Sequence, residues 1–456
     1  MKLTPTLFVA NHSRWILAMA TLFATTASLA AAIDCRERAR QILGALDRGD
    51  FAAARLDFDA KMQSGLSEGK LREVWTALPQ HLGPLDRRGE AVVRPAGDAI
   101  VGVVPLHFGI GWFELQVTCA ADGQVSGLWV KPAAQVPADA AADSFPLPDY
   151  ARADRYIERP LHIDAGSTPL PATLTMPKET RPVAAVVLVH GSGTHDADET
   201  IGPNKPFRDL AVGLASRGIA VLRYVKRSAA SPAAFAPDRS FTVDDEIVDD
   251  ALLALQLLRR QAGIDPARTF VLGHSLGAMM APRIAQRDQT VAGLIVLAAP
   301  AEPLEDVVVR QVRYLRGASD DASFAALTQQ REQIKHLDAA HAATAPPLMQ
   351  LPASYWLDLQ NYDPVAAGRK LSIPLLVLQG GRDYQVTPED DFQRWQSAFT
   401  SNPRVVLKMY PKLSHLFMPG GDPPGPQDYR HASHVDAGVV ADIAGWILRQ
   451  SPATHS

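Results

Sequence analysis

A serine stands between two glycines in the stretch Gly273-His274-Ser275-Leu276-Gly277, which follows an apolar run and precedes a helix-compatible segment. A strand, a sharp turn and a helix in this order form a nucleophile elbow, in which the turn strains the backbone of its central residue. A side chain in place of either glycine would collide with the neighbouring strand or helix. The pattern therefore predicts that Ser275 is an exposed nucleophile at the carboxyl edge of a sheet.

Two further residues follow in the order that acyl transfer by a serine requires. Asp383 comes just after the apolar run 374–379, and His415 lies in the loop after a second apolar run, 405–410. If both runs are parallel strands, Ser275, Asp383 and His415 meet at one edge of the sheet. The histidine of such a triad takes the serine proton, while the aspartate fixes the imidazole tautomer and stabilises the imidazolium. A lone loop aspartate or histidine is more often a solvated residue, but three in this order favour catalysis.

A glycine-rich loop supplies candidates for binding the negative charge that acyl transfer develops. The apolar run 184–189 predicts a third buried strand, which leads into His190-Gly191-Ser192-Gly193. Backbone N–H groups of such a loop, together with the N–H after the nucleophile, bind an oxyanion. We expect Leu276 and Ser192 to be donors, with Gly193 next. A tight loop without a catalytic role is the alternative.

From about Tyr156 to its C-terminus, the chain resembles bacterial α/β-hydrolases of the serine-hydrolase superfamily, which includes esterases, thioesterases and aminopeptidase-like enzymes. Besides the G-H-S-L-G elbow, the run 190–199 is similar to the H-G-S-G-x-x-D-x-D-E loop of one subgroup. The match continues over two further stretches, 204–210 and 218–224. Members of this subgroup usually have R-Y-D-K-R where this chain has R-Y-V-K-R. The acid missing at Val225 leaves the triad untouched, although its loss would alter the pocket rim.

The resemblance implies a doubly wound, mostly parallel α/β sheet over 150–456. It also implies hydrolysis of a small-molecule carboxylic ester through an acyl-enzyme, without a metal or another cofactor. An aminopeptidase, amidase or thioesterase with the same triad is one alternative. A binding protein that retains the hydrolase fold without its activity is another. The natural substrate, its acyl-chain length and the oligomeric state stay open.

A long insertion precedes the strand that carries the predicted acid. The segment 301–370 has a helical pattern, and an insertion at this point commonly forms a cap over the active site of such folds. Met349, Tyr355 and Trp356 are the predicted lining of an apolar acyl or aromatic pocket. Packing of these side chains between the cap and the body is an equally favoured alternative.

Two acidic runs, 196–199 and 244–246, invite the question of a metal site. The spacing in the first run matches no known order of metal ligands. We therefore expect a solvated loop, or carboxylates paired with Lys205 and Arg208. The second run follows Thr242, a suitable N-cap, and acidic side chains in a first turn favour the helix dipole. That run is interpreted as structural.

The whole chain has 456 residues, of which 47% are hydrophobic, so more than one core and two domains are expected. Its formal net charge of −4 indicates no strongly basic surface, so nucleic acid is not an expected partner. After the N-terminal segment, no apolar run reaches the length of a membrane span.

The N-terminal segment 1–32 has the pattern of a signal peptide. Lys2 and Arg14 supply positive charge, residues 15–29 are mostly apolar, and Ser28-Leu29-Ala30 is a cleavage pattern. An uncleaved anchor or a lipoprotein is less favoured. We predict export, to a bacterial periplasm, without stable membrane insertion after cleavage.

Export gives the two cysteines a meaning, because oxidising compartments favour disulfides. Cys35 and Cys119 are predicted to form one bridge, with two free buried thiols as the alternative. Both belong to a separate α+β unit predicted over 33–131, where helical spacing gives way to strands. This order resembles the NTF2-like cone, whose role here is ligand binding, structure or oligomerisation. An Ala- and Pro-rich linker, 132–149, follows.

Overall fold

The computed structural model describes residues 35–82, 85–96, 99–108, 111–120, 122–133, 145–166, 168–317, 321–342 and 345–450. The predicted signal peptide and most of the predicted linker lie outside these residues. The chain divides into two compact units, with the boundary between Phe145 and Pro146. Within the described ranges, no helix is long and apolar enough to cross a membrane.

The N-terminal unit combines helices with a five-stranded antiparallel sheet. Its helices are α1 (35–47), α2 (Ala60–Gly65) and α3 (Glu68–Leu82), and its strands are β1 (Leu85–Arg88), β2 (Val92–Ala96), β3 (Ala99–Phe108), β4 (Gly111–Cys119) and β5 (Val125–Pro132). Alternate side chains of a strand point to one face. Leu106 and Leu115 therefore share a core with Ala39 and Leu43 of α1. The likeness of this unit to an NTF2-like cone stays a prediction.

A disulfide joins Cys35 of α1 to Cys119 at the end of β4. The two residues are 84 positions apart, and both are buried. The bridge therefore fixes the first described turn of α1 to the sheet.

The C-terminal unit is built on an eight-stranded sheet. Its strands are β6 (Tyr156–Ile163), β7 (Leu170–Pro177), β8 (Val183–Val189), β9 (Ala220–Tyr224), β10 (Ile264–His274), β11 (Leu294–Leu297), β12 (Leu375–Gly380) and β13 (Val405–Tyr410), in the order β13-β12-β11-β10-β8-β9-β7-β6. Strands β8 to β13 pair in parallel, whereas β7 is antiparallel to both of its neighbours, β6 and β9. The predicted mostly parallel α/β sheet is confirmed.

Helices cover both faces of this sheet. They are α4 (Pro206–Ala215), α5 (Arg227–Ala230), α6 (Asp249–Arg259), α7 (Leu276–Arg287), α8 (Leu304–Arg316), α9 (Ala322–Lys335), α10 (Ala339–Ala342), α11 (Ala353–Leu359), α12 (Pro364–Arg369), α13 (Gln393–Phe399) and α14 (Ala437–Arg449). Val187 of β8 lies in the core with α6 and α7, and its neighbour Val186 lies in the core with α4 and α14. Central strands buried on both faces are apolar throughout for this reason.

The insertion between β11 and β12 consists of helices α8 to α12. It is fixed to the body through Arg283 of α7, whose guanidinium donates to the Asp358 carboxylate of α11 at 3.2 Å. The same guanidinium carbon lies 4.4 Å from the ring centre of Tyr362. A cation held by a carboxylate and an aromatic face fixes the insertion in one place.

Replacing both Cys35 and Cys119 with alanine should destabilise the N-terminal unit. The bridge spans 84 positions. Closing a loop of that length restricts the unfolded chain, so we expect a loss of about 4 kcal/mol in free energy of unfolding. Calorimetry of the full chain without reductant measures the shift. Wild-type protein with reductant is the control and should show the same shift, and an unchanged transition in the variant would contradict this account.

Candidate active site

Ser275 occupies a strained turn between β10 and α7, with φ 53° and ψ −118°. Such angles are costly for a residue with a side chain and persist only where the surroundings impose them. Here the surroundings are backbone. A Cβ on Gly273 would lie 2.2 Å from the carbonyl oxygen of Gly277, and a Cβ on Gly277 would lie 2.2 Å from that of Val189. Neither position accepts a side chain, so the glycine spacing follows from the close approach of β10, α7 and β8.

Asp383 and His415 form a hydrogen-bonded pair just beyond β12 and β13. Their Oδ2 and Nδ1 atoms are 2.7 Å apart, and both residues are at least 95% buried. The other carboxylate oxygen, Oδ1, accepts the backbone N–H groups of Gln385 at 2.8 Å and Val386 at 2.9 Å. These two bonds fix the carboxylate plane, so Oδ2 remains directed at the imidazole.

Backbone hydrogen bonds beyond the strand ends hold the three predicted triad loops at one edge. The Ser275 N–H donates to the carbonyl of Leu297, the last residue of β11, and the Ala298 N–H donates to the carbonyl of Leu378 in β12, each at 2.9 Å. The Gly381 N–H then donates to Tyr410 of β13 at 2.8 Å. Parallel strands in this register deliver their following loops to the same edge. The structure thus gathers the loops of all three predicted residues.

His274, the residue before Ser275, links the elbow to two other loops. Its Nε2 donates to the His415 carbonyl oxygen at 3.0 Å, and its Nδ1 lies 3.0 Å from Oε2 of Glu199. Burial opposes a charge on this ring, but the carboxylate prevails and raises the pKa of His274. Burial likewise opposes ionisation of Glu199, yet His274 lowers the pKa of that carboxyl to about 2. The two residues form a buried ion pair.

The predicted oxyanion loop lies beside the elbow. A Cβ on Gly191 would be 3.2 Å from the Cβ of the elbow serine. The Gly191 N–H is already used, since it donates to Oε1 of Glu199 at 2.7 Å. The backbone N–H groups of Ser192, Gly193 and Leu276, the three predicted donors, have no partner among the residues that the structure describes. They are available to a ligand oxygen.

The acidic loop is ion-paired at one position and buried at another. Asp198 contacts Lys205 at 3.1 Å and Arg223 at 2.8 Å, so the expected pairing with Lys205 is present. Asp196 accepts from the backbone and hydroxyl of Thr200. The expectation of a solvated or lysine-paired carboxylate is wrong for Glu199, because this side chain is fully buried against His274.

The acidic run 244–246 begins a helical turn, as expected. Thr242 and Asp245 exchange hydrogen bonds between side chain and backbone, which caps that turn. Glu246 does more than the sequence suggested. It is buried, its Oε1 lies 3.2 Å from Nζ of Lys226, and its Oε2 accepts the Tyr355 hydroxyl at 3.1 Å.

For the predicted substrate pocket, the structure favours the packing alternative. Tyr355 and Trp356 are each only 1% exposed, and their polar atoms bind Glu246 and the Leu348 carbonyl oxygen. An indole or phenol that is buried with its polar atom bound is part of the core. The prediction that these two residues line a substrate pocket is therefore corrected to packing in the core. Met349 is half-buried and lies in a turn with φ 46°.

Sequence reasoning missed Lys226, Glu199 and His274 as parts of the site. A signal was present, since all three belong to the motifs that carry the family resemblance. What the motifs do not contain is the partner of each buried charge. His274 and Glu199 are far apart in sequence and meet only because β8 and β10 are neighbours.

Three comparisons with known proteins bear on this site. The family model described as Hydrolase_4, serine aminopeptidase S33, matches residues 180–422. Esterase EstD of Thermotoga maritima is 35% identical over 393 residues, which are 85% of this chain and 89% of EstD. The solved puromycin-hydrolyzing peptidase of Mycobacterium tuberculosis has 18% identity and a TM-score of 0.42 over 80% of this chain, which spans about half (48%) of that peptidase. Est1E from Butyrivibrio proteoclasticus has 18% identity and a TM-score of 0.43, covering 64% of this chain and 98% of Est1E.

His190, the first residue of the predicted oxyanion loop, should make the unfolding free energy depend on pH. Burial lowers the pKa of His190 to about 3, and its Nε2 donates to the Asp196 carbonyl oxygen. The neutral ring stabilises the fold fully above the unfolded pKa of about 6.5, and this contribution is lost as the pH falls towards about 3. Replacing His190→Gln should remove up to about 1.4 kcal/mol per pH unit from the slope over that window.

Denaturant unfolding of both proteins between pH 4 and 8 measures the two slopes. His162→Gln, which removes an exposed histidine of β6, controls for the loss of an imidazole as such. Equal slopes in wild type and His190→Gln would show that His190 does not couple folding to protons.

Proposed function

Because the chain belongs to the Hydrolase_4 family of serine aminopeptidase S33 proteins, we propose that it hydrolyses small carboxylic esters through Ser275, His415 and Asp383. The family makes it a serine hydrolase, and its likeness to Esterase EstD supports ester substrates. The observation that carries the triad is the 2.7 Å pair of Asp383 and His415, held at the edge where the strained serine turn lies.

In the proposed first step, the Ser275 oxygen attacks the ester carbonyl carbon while its proton passes to Nε2 of His415. The carbonyl oxygen becomes an oxyanion, for which the free N–H groups of Ser192, Gly193 and Leu276 are the proposed donors. The intermediate then expels the alcohol, which takes the proton from His415. An acyl-enzyme remains on the serine.

Water completes the cycle by the same route. It attacks the acyl carbon as His415 takes one of its protons, and the second tetrahedral intermediate breaks its bond to Ser275. The proton returns to the serine oxygen, and the carboxylic acid leaves. Asp383 accepts the Nδ1–H hydrogen bond throughout and stabilises the imidazolium.

Export across the inner membrane, to a periplasm, is also part of the proposal. The charge and apolar pattern of 1–32 supports it. The Cys35–Cys119 bridge fits an oxidising compartment.

A fluorophosphonate should label Ser275 in the purified mature protein, because the reagent reacts with activated serines whatever their substrate. Ser275→Ala should lose the label and lower p-nitrophenyl ester turnover by at least about 10⁴-fold. Mass spectrometry of the adduct and initial rates provide the readouts. Ser397→Ala, at an exposed serine of α13, is the matched control. An adduct elsewhere, or turnover retained in Ser275→Ala, would reject the assignment.

Asp383→Asn should lower kcat by about 10⁴-fold with little change in KM, since the amide favours the wrong imidazole tautomer. The same rates, measured on p-nitrophenyl esters beside aminoacyl p-nitroanilides, distinguish the substrate classes. Turnover of the anilides alone would favour the aminopeptidase alternative. Folded protein that takes no label and turns over neither substrate would favour a binding protein.

A further inference from the structure

Lys226 is a buried lysine with two hydrogen bonds to backbone carbonyls and one ion pair. The residue is 2% exposed and follows β9. Its ammonium donates to the carbonyl oxygens of Gly191 and Gly193, each at 2.8 Å, and lies 3.2 Å from Oε1 of Glu246. A buried ammonium is tolerated where its three N–H groups and its charge are matched in this way. Two of its three partners are carbonyls of the oxyanion loop.

A carbonyl held on one side of a peptide fixes the N–H on the other side. The peptide bonds of the loop are trans, so the C=O and the N–H of each plane point in opposite directions. The Gly191 carbonyl faces Lys226, and the Ser192 N–H in the same plane therefore points away from Lys226. The Ser192 carbonyl accepts Nε2–H of His195 at 2.7 Å, which fixes the Gly193 N–H in the same manner.

The carbonyls of Gly191, Ser192 and Gly193 are thus all hydrogen-bonded, whereas the N–H groups of Ser192 and Gly193 are free within the described part of the chain. The remaining N–H of the loop, on Gly191, is held by Glu199. Gly193 has φ 90°, a conformation that glycine adopts without strain. A hydrogen bond to a carbonyl also polarises its peptide, so the N–H at the other end becomes a stronger donor. The free N–H groups of Ser192 and Gly193 thus belong to peptides that are already oriented and polarised.

We propose that Lys226 is a positioning residue for the oxyanion hole. It orients the Ser192 N–H through the Gly191 carbonyl, and through the Gly193 carbonyl it holds the peptide that follows the Gly193 N–H. The inference rests on the proposed function, because an oxyanion exists only if Ser275 attacks a carbonyl. Lys226 would therefore affect the rate by orienting the loop N–H groups that bind the oxyanion in the transition state.

The contacts of Lys226 and Glu246 that hold the oxyanion loop, here called the clamp, extend into the insertion. Glu246 neutralises Lys226 and accepts the Tyr355 hydroxyl of α11 with its second oxygen. The chain of contacts runs from Tyr355 through Glu246 and Lys226 to the loop. Burial, together with the Glu246 carboxylate, raises the pKa of Tyr355, so its hydroxyl stays a donor. One side chain of the insertion therefore supports the oxyanion loop without lining a pocket.

Lys226→Met tests the proposal, since methionine keeps the length of the side chain and removes its donors. We expect kcat for p-nitrophenyl esters to fall by about 10²-fold, the effect of losing an oxyanion donor, while KM stays within about threefold. The Ki of phenylboronic acid, whose tetrahedral adduct on Ser275 places an oxygen in the hole, should rise by the same factor as kcat falls. A merely structural lysine would not move kcat and this Ki together.

The matched control is Lys205→Met. Lys205 lies in the same region, but its ammonium binds Asp198 and Thr200 and no carbonyl of the oxyanion loop. We expect its kcat, KM and Ki to equal those of wild type.

Tyr355→Phe is the second test, because it removes only a hydroxyl and leaves the ion pair intact. A fall in kcat of about two- to tenfold at constant KM is expected, from weaker support of Glu246.

The outcomes distinguish the positioning role of Lys226 from the proposed function of the protein. Folded Lys226→Met with wild-type kcat and boronate Ki, beside inactive Ser275→Ala, would overturn the positioning role and leave the proposed function standing. If Lys226→Met does not fold, wild-type kinetics in Tyr355→Phe would overturn the clamp. Wild-type protein with no label and no turnover would overturn the proposed function, and the positioning role with it.

Discussion

The close approach of three backbones at the elbow is the constraint on which the rest of this site depends. Gly273 and Gly277 let β10, α7 and the end of β8 approach so closely that there is no room for a Cβ. That contact holds Ser275 in its strained turn and also brings the loop after β8 against the serine. Ser275 and the proposed oxyanion donors are thereby positioned by the same packing, before any side chain contributes.

Buried charges then fix what the backbone contact leaves free. The idealised cost of burying an ion is large, and breaking such a pair costs more than its formation gains. Here both pairs touch the reaction loops. His274 donates to the His415 carbonyl and Glu199 accepts the Gly191 N–H, while Lys226, paired with Glu246, donates to the carbonyls of the same loop. Because an unpaired buried charge is strongly unfavourable, ion pairs in these positions favour a single arrangement of the three loops.

Most of the fold could be predicted from the sequence, because apolar runs and turn residues are local signals. The strand before Ser275, the strand before Asp383 and the order of the two are examples. The partners of buried polar residues are not local. Glu246 stands in an acidic first turn whose pattern indicates only a helix start, and its burial depends on β9 bringing Lys226 beside it. The sequence leaves Tyr355 equally compatible with a pocket and with core packing, because the apolar composition of the insertion fits both, and its burial with a hydrogen-bonded hydroxyl decides for the core.

The balance of charge in the site explains why these pairs would not compete with the proposed catalysis. Lys226 is matched by Glu246, and His274 is matched by Glu199. In the proposed mechanism, Asp383 differs from these carboxylates because its partner, His415, takes the serine proton during the reaction. The Asp383 carboxylate would then gain a counter-ion while the oxyanion forms against N–H groups that are already oriented. An interaction that strengthens only in the transition state lowers the barrier, whereas the two permanent pairs stabilise ground state and transition state alike.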